Sequence, residues 1–191
     1  MRVAMEDLPR RHGITVDEYY RMAETGELAP DARVELIEGE IIDMPPIGNP
    51  HMATVDRLNQ LLVETAARRA IVRCQGAVQL GDYSMPQPDF VLLAPRDDYY
   101  SSRRAVAEDV FLAIEVSDTT LSYDRGRKMA LYARFGLPEF WVIDVNTRRL
   151  YLHRRPSGNA YLEISILEAP RSMMIERLPG AVLGLSWLLG D

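Results

Sequence analysis

The spacing of hydrophobic and polar residues predicts both helices and strands near the start of the chain. Thr15 followed by Glu18 is a capping-box pattern, which predicts a short helix over residues 16–24 that ends at Gly26. Apolar residues then alternate with polar ones over residues 33–44, and this pattern predicts a β-hairpin. The N-terminal region is therefore expected to contain one helix followed by a two-stranded unit.

A long amphipathic helix is predicted next. Asn49 is expected to be its N-cap and Pro50 its first residue, and the pattern continues to about Ala70. Apolar residues at helical spacing form one stripe along it: Val55, Leu58, Leu62 and Ala66. This stripe is expected to pack against a sheet.

The rest of the chain reads as strands around a second helix. Strands are predicted over residues 71–80, 89–94, 110–117, 140–145, 150–154 and 161–167, and a helix over residues 124–135 that ends at Gly136. The predicted fold class is α/β (α+β), a central mixed β-sheet flanked by helices in the order αβββαβ, with extra N- and C-terminal strands. With 191 residues, a single domain over 1–191 is expected.

Charge and cysteine content narrow the classes of function. The net charge of −6 argues against a protein that coats nucleic acid through bulk electrostatics, although a local binding site remains possible. The single Cys74 excludes an internal disulfide framework and fits a reducing compartment. Residues 1–12 contain no apolar run typical of a secretory signal, and the apolar stretch 181–189 is too short to span a membrane. We expect a cytoplasmic protein without a membrane span.

Two acidic residues lie in or beside apolar strands. Glu115 occupies the middle of the strand over 110–117, and Asp89 follows Pro88 at the start of another apolar strand. Burying two carboxylates costs several kcal/mol each unless a positive group neutralises them. A divalent cation such as Mg²⁺ or Mn²⁺ meets this need with oxygen ligands. The alternative is that each acid pairs with one of the 21 arginines.

Lys128 is the only lysine among the 22 basic residues. It shares a helical stripe with Asp124 and Tyr132, which directs its amine towards the sheet beside Glu115. An ammonium group is compact and its pKa can be lowered, so it can orient or deprotonate a water molecule. The alternative is an accident of composition, with Asp124 and Lys128 forming a surface ion pair.

Several of these segments together are similar to one known family. The segments are Pro88-Asp89, Ile114-Glu115-Val116-Ser117, Asp124 to Lys128, Tyr132 and Gly136 to Asp144. They resemble the Uma-two family, a family of restriction endonucleases predicted from sequence that belongs to the PD-(D/E)XK superfamily. The upstream Glu35 to Glu40 and His51 also resemble this family. The similarity covers about residues 15–151, and the ordered set is specific although each motif alone is weak.

The resemblance implies a restriction-endonuclease-like core over about residues 33–155 and a Mg²⁺- or Mn²⁺-dependent endonuclease that hydrolyses phosphodiester bonds in DNA. By the same resemblance, Asp89, Glu115 and the carbonyl of Val116 are metal ligands, and Lys128 positions the attacking water. The auxiliary residues that it implies are Glu35, Glu38 and His51. The chain departs from the family pattern at Ser117, where the superfamily has lysine, and at Asp118, where this family usually has proline.

Other features concern the substrate and the competing functions. Arg103 and Arg104, in a loop with two tyrosines, are candidates for contacts with nucleic acid. A homodimer is expected because superfamily enzymes that cut both strands often dimerise. One alternative is a catalytically inactive module of the same fold that binds nucleic acid or a protein. Another is a metal-free acid/base hydrolase, which ranks last because no cluster of sugar-stacking aromatic residues accompanies Asp89 or Glu115.

Overall fold

The computed structural model describes residues 12–186, and six of its strands form one mixed sheet. The strands are β1 (Val34–Ile37), β2 (Glu40–Asp43), β3 (Ile71–Cys74), β4 (Phe90–Leu93), β5 (Val110–Ser117), β6 (Glu139–Asp144), β7 (Arg149–Ser157), β8 (Ala160–Glu168), β9 (Ser172–Met174) and β10 (Val182–Gly184). The helices are α1 (Val16–Thr25), α2 (Asn49–Ala66) and α3 (121–134), and a short 3₁₀ helix covers Ala107–Asp109. Helix α3 is continuous but has three parts: an α-helical turn (Leu121–Tyr123), a π-helical segment (Asp124–Lys128) and a second α-helical segment (Met129–Arg134). The expectation about a secretory signal falls almost entirely on residues outside the described range.

The central sheet has the order β3-β4-β5-β6-β7-β8. Only β5 and β6 are parallel, because α3 connects them as a crossover, and every other neighbouring pair is antiparallel. The register places Glu115 of β5 opposite Val142 of β6. The predicted fold class, a mixed sheet with helices on its faces, is confirmed.

Alternation along β5 separates two hydrophobic cores. Leu112 and Ile114 pack on one face with the buried stripe of α2, as predicted. Ala113 packs on the opposite face with residues of α3, including Leu131 and Tyr132. Glu115 has the same parity as Ala113, so its side chain belongs to the face that α3 covers.

The N-terminal elements follow the prediction closely. Thr15 and Glu18 form both hydrogen bonds of the capping box, and Gly26 ends α1 with a φ of 80°. The hairpin turns at Gly39, which has a φ of 79° and where an added Cβ would lie 2.7 Å from the Cα of Gly13. This turn therefore requires glycine for its conformation and for its close approach to another segment.

Several element boundaries differ from the prediction, most clearly in α2, β3 and α3. The N-cap of α2 is Gly48 rather than Asn49, and α2 ends at Ala66, because Ala67 and the residue after it have positive φ angles. Strand β3 stops at Cys74, since Gln75 has a φ of 46° that no strand continues. Helix α3 begins at 121, three residues earlier than predicted, and includes the π-helical segment. None of the helices in the described range is long and apolar enough to cross a membrane.

Candidate active site

A cavity of about 390 Å³ lies where four parts of the fold meet. They are the first turn of α2, the start of β4, the end of β5 and the first half of α3. Asp89, Glu115, Val116, Lys128 and His51 all line it. These predicted site residues are separated by up to 77 positions in sequence, and the mixed sheet brings them together. A larger groove, at the end of α2 and beside β3, contains none of them.

Asp89 lies immediately before β4 and is held by two groups. Its Oδ2 accepts a hydrogen bond from the N–H of Val116 at 2.8 Å and lies 3.2 Å from Nε2 of His51. Its Oδ1 accepts no hydrogen bond from the described residues. One carboxylate oxygen therefore anchors the side chain, and the other is available to a ligand in the cavity.

Glu115 uses its two oxygens differently. Oε1 accepts hydrogen bonds from Nζ of Lys128 at 3.1 Å and from the hydroxyl of Tyr132 at 2.7 Å. Oε2 accepts none from the part of the chain that the structure describes, although Glu115 is only 3% exposed. Burial raises the pKa of Glu115 well above its usual value, and the nearby charge of Lys128 opposes that rise only in part.

Lys128 lies between two carboxylates. It is 1% exposed, and its Nζ lies 3.1 Å from Oε1 of Glu115 and 3.2 Å from Oε2 of Glu35. Burial alone would lower the pKa of Lys128, but the negative charges of Glu115, Glu35 and Asp124 outweigh it and raise the pKa. The amine is therefore held as ammonium. Its surroundings do not produce the lowered pKa that it would need to deprotonate water.

Glu35 belongs to this charged cluster but not to the cavity wall. It lies in β1, is fully buried, and accepts hydrogen bonds from the N–H of Gln87 at 3.2 Å and the hydroxyl of Tyr123 at 3.4 Å. The cavity is lined by Lys128 and Tyr123, which are Glu35's neighbours, and not by Glu35 itself. The structure thus places Glu35 behind the amine.

The donors around the cavity fit a hard divalent cation. Asp89 and Glu115 each present an unbonded carboxylate oxygen, and such oxygens are typical ligands of Mg²⁺ and Mn²⁺. The N–H and C=O of one strand residue point the same way, so the Val116 carbonyl faces the same edge as its N–H. The antiparallel pairing of β4 with β5 stops at Phe90 and Ile114, so Val116 lies beyond the paired part of this edge. No group of three or more His, Cys, Asp or Glu side chains among the described residues is arranged for a metal, so an ion held by these two carboxylates would take its other ligands from backbone, water or substrate.

His51 lies in the first turn of α2 and borders the cavity beside Asp89. Burial alone would lower its pKa, but the hydrogen bond and charge of Asp89, together with the charge of Asp118, raise it. Its Nδ1 is buried without a hydrogen-bond partner in the described part of the chain. The structure thus places His51 at the cavity, beside the predicted metal ligand Asp89.

Three predicted residues lie away from the cavity. Glu38, in the hairpin turn, forms ion pairs with Arg127 and Arg134. Its pKa is lowered, and the hydrogen bond from Arg134 is the largest cause. Arg103 forms a bidentate ion pair with Asp109 at 2.6 and 2.7 Å. The last of the three, Arg104, pairs with Asp17 at 2.8 Å and lies over the ring of Tyr20. The structure does not bring these three residues to the site.

Asp124 and Tyr132, two residues on the same helical stripe as Lys128, also contact the site directly. The ring of Tyr132 is buried, and its hydroxyl donates a hydrogen bond to Glu115. Asp124 is buried rather than on the surface, and its Oδ2 accepts hydrogen bonds from Ser117 and Thr120, each at 2.6 Å. Neither Asp89 nor Glu115 pairs with an arginine among the described residues. The four-residue spacing of Asp124, Lys128 and Tyr132 was the sequence signal for this cluster.

Comparison with known proteins agrees with this geometry. A family model, Uma2, described as "Putative restriction endonuclease", matches residues 16–186. The chain belongs to the Uma2 family. The fold is similar to a crystal structure from Anabaena variabilis, described as "a putative nuclease belonging to DUF820", with a TM-score of 0.68 and 18% sequence identity, over 92% of this chain and 97% of that one.

The Uma2 match includes every residue that lines the cavity, from Arg33 to Lys128. No curated protein matches the sequence. Membership of the Uma2 family, together with the nuclease-like fold, supports a nuclease as the general class of activity.

Proposed function

We propose that this Uma2 protein is a divalent-metal-dependent endonuclease that hydrolyses phosphodiester bonds in DNA. The observation that carries the proposal is the meeting of Asp89, Glu115 and Lys128 at one cavity, with the only lysine of the chain 3.1 Å from Glu115. Families of restriction-endonuclease type generally use divalent metals, and the free carboxylate oxygens here match that requirement.

Asp89 and Glu115, with the Val116 carbonyl, are the proposed ligands of Mg²⁺ or Mn²⁺. When bound, such an ion supplies Lewis-acid stabilisation of the charge that grows on the phosphate and on the leaving oxygen. The bonds from Val116 to Asp89 and from Tyr132 to Glu115 hold the two carboxylates before any ion arrives. Little reorganisation is then needed on binding.

Lys128 is proposed to orient the attacking water and to stabilise negative charge through its ammonium group. Because its neighbours raise its pKa, it donates hydrogen bonds in this role and does not act as a general base. Three donor hydrogens on Nζ permit contacts with Glu35, Glu115 and one further acceptor in the cavity. That third direction is the one proposed for the water or a phosphate oxygen.

The test is cleavage of supercoiled plasmid DNA with Mg²⁺ or Mn²⁺, with an RNA of the same sequence as a second substrate. Wild-type protein should nick the plasmid, and Asp89→Asn, Glu115→Gln and Lys128→Ala should each lose at least about 100-fold in rate. Glu64→Gln, on the exposed face of α2, is the matched control and should retain activity. Cleavage that survives in all three site variants, or that is absent with both metals, would contradict the proposal and favour the inactive binding module.

A further inference from the structure

The buried cluster around Lys128 contains one carboxylate that the proposed function leaves unused. Glu35 is fully buried, does not line the cavity, and lies 3.2 Å from Nζ of Lys128. The auxiliary role that the family resemblance implied for Glu35 or Glu38 was to add a metal ligand, directly or through water. Its position behind the amine requires a different explanation.

We propose that Glu35 is a positioning residue that holds the ammonium group of Lys128 at the cavity wall. The inference rests on the proposed nuclease function and assigns Glu35 a role that acts through Lys128 rather than through the metal.

The geometry separates the two carboxylates that contact the amine. Glu115 borders the cavity and has one oxygen free of hydrogen bonds from the described residues, whereas Glu35 is shielded from the cavity by the lysine. Glu115 therefore has two demands on it, the amine and a bound cation. Glu35 does not border the cavity and would not share its charge with a bound cation, so it can hold Lys128 in place when a cation draws electron density from Glu115.

Glu35 is itself fixed on both oxygens. Oε2 accepts the N–H of Gln87, and Oε1 accepts the hydroxyl of Tyr123. Strand β1, which carries Glu35, is joined to the segment before β4 by a bridge between Leu36 and Met85. A carboxylate anchored in this way sets the position of the amine with little freedom, which is what a supporting residue must do.

The single lysine allows a direct measurement of the amine. Protein labelled with ¹⁵N-lysine should give one side-chain Nζ signal, and a buried, doubly paired ammonium exchanges its protons slowly enough to be observed. With Mg²⁺ present, Glu35→Ala should lose this signal and Glu35→Gln should weaken it. Glu40→Gln is the matched control, because Glu40 lies on the same hairpin and pairs with Arg127. An unchanged signal in Glu35→Ala would overturn the proposal.

Mn²⁺ titration by calorimetry distinguishes positioning from metal ligation. Glu35→Gln should keep the Mn²⁺ affinity of the wild type within about two-fold, while Glu115→Gln should lose about 10-fold or more. A loss in Glu35→Gln as large as that in Glu115→Gln would identify Glu35 as a ligand and overturn the proposal.

A double-mutant cycle then tests the route of the effect. Glu35→Gln should lower kcat about 10- to 100-fold with KM unchanged, and should have no further effect in a Lys128→Ala background. A further loss in that background would indicate a general structural role and would overturn the proposal. Absence of cleavage by the wild type would instead contradict the proposed function, and the labelling and titration experiments would still decide the role of Glu35.

Discussion

Two glutamates on neighbouring parallel strands, Glu115 in β5 and Glu139 in β6, are both buried and both contact a basic residue. Glu139 accepts hydrogen bonds on Oε1 from the Trp141 indole at 2.8 Å and from Nε and Nη2 of Arg154 at 3.0 and 2.6 Å. Its Oε2 accepts the N–H of Glu176 at 2.8 Å. Glu115 keeps one oxygen without a partner among the described residues and borders the cavity, whereas Glu139 does not.

The difference lies in how the acceptor capacity of each carboxylate is used. Glu139 is satisfied on both oxygens by protein donors, so it stabilises the packing of β6 and β7 against the segment that follows β9. Glu115 keeps an acceptor that only a cation, water or substrate can satisfy. Burial alone therefore does not distinguish the two glutamates, and what sets Glu115 apart as a candidate ligand is an unsatisfied oxygen at a cavity.

The largest expected contrast between Glu115 and Glu139 is in the cleavage activity of their glutamine variants. Glu115→Gln should reduce plasmid cleavage at least about 100-fold, because it removes a charged ligand from the proposed metal site. Glu139→Gln should retain cleavage but lower the free energy of unfolding by about 1–3 kcal/mol, since it weakens a saturated buried network. Plasmid nicking and urea denaturation measure the two effects. Equal loss of activity in both variants would break the contrast.

The second contrast concerns the basic partners. Lys128→Met leaves Glu35 and Glu115 without their shared cation, and breaking a buried pair of this kind costs about 3–5 kcal/mol of stability. Arg154→Met should cost less, because Arg154 is partly exposed and Glu139 keeps the hydrogen bonds from Trp141 and from the N–H of Glu176. Urea unfolding of both variants checks the order. A smaller loss for Lys128→Met would show that the two glutamates do not depend on the amine.

A third contrast separates the neutral donors. Tyr132→Phe removes the hydroxyl that holds Oε1 of Glu115 and should lower kcat about 10-fold, with KM nearly unchanged. Trp141→Phe removes the indole donor to Glu139 and should change stability rather than kcat. Steady-state cleavage kinetics and thermal denaturation of the two variants give the comparison. An unchanged kcat in Tyr132→Phe would show that the hydroxyl only fills space.

The smallest expected effect is a pH dependence of folding stability that comes from His153, near Glu139. Burial lowers the pKa of His153, which lies opposite Phe140 and next to Arg154. The unfolded chain then binds more protons than the folded one below about pH 6.5, so the protein loses stability as the pH falls through this range. His153→Phe removes this titration.

Urea unfolding at pH 7, 6 and 5 tests this sign. Wild type should lose stability relative to His153→Phe by up to about 1.4 kcal/mol per pH unit, and the variant should show the flatter curve. Parallel curves would mean that His153 takes up its proton equally well in both states.

Much of the fold was predictable from local sequence. The capping box at Thr15, the apolar stripe of α2 and the central strand around Ile114 all formed as expected, because short-range periodicity determines such elements. The predictions for the N-cap and end of α2 and for the length of β3 were wrong. Backbone reversals such as those at Ala67 and Gln75 depend on tertiary packing and leave no local signal.

Within the candidate site, the sequence indicated which residues to examine but not their partners. The solitary Lys128 and the acids in apolar strands were visible as anomalies of composition and burial pattern. The pairing of Lys128 with Glu35, across 93 positions, was not visible, and it changed the interpretation of both side chains.

The sequence by itself determined the types of element, their order and the three chemical groups of the proposed site, because hydrophobic period and residue type are local properties. Only the tertiary structure decided that Glu35 lies behind the amine, that Glu38, Arg103 and Arg104 lie elsewhere, and that Glu115 differs from Glu139. These outcomes depend on which atoms satisfy each buried charge, and that is settled by contacts between distant segments.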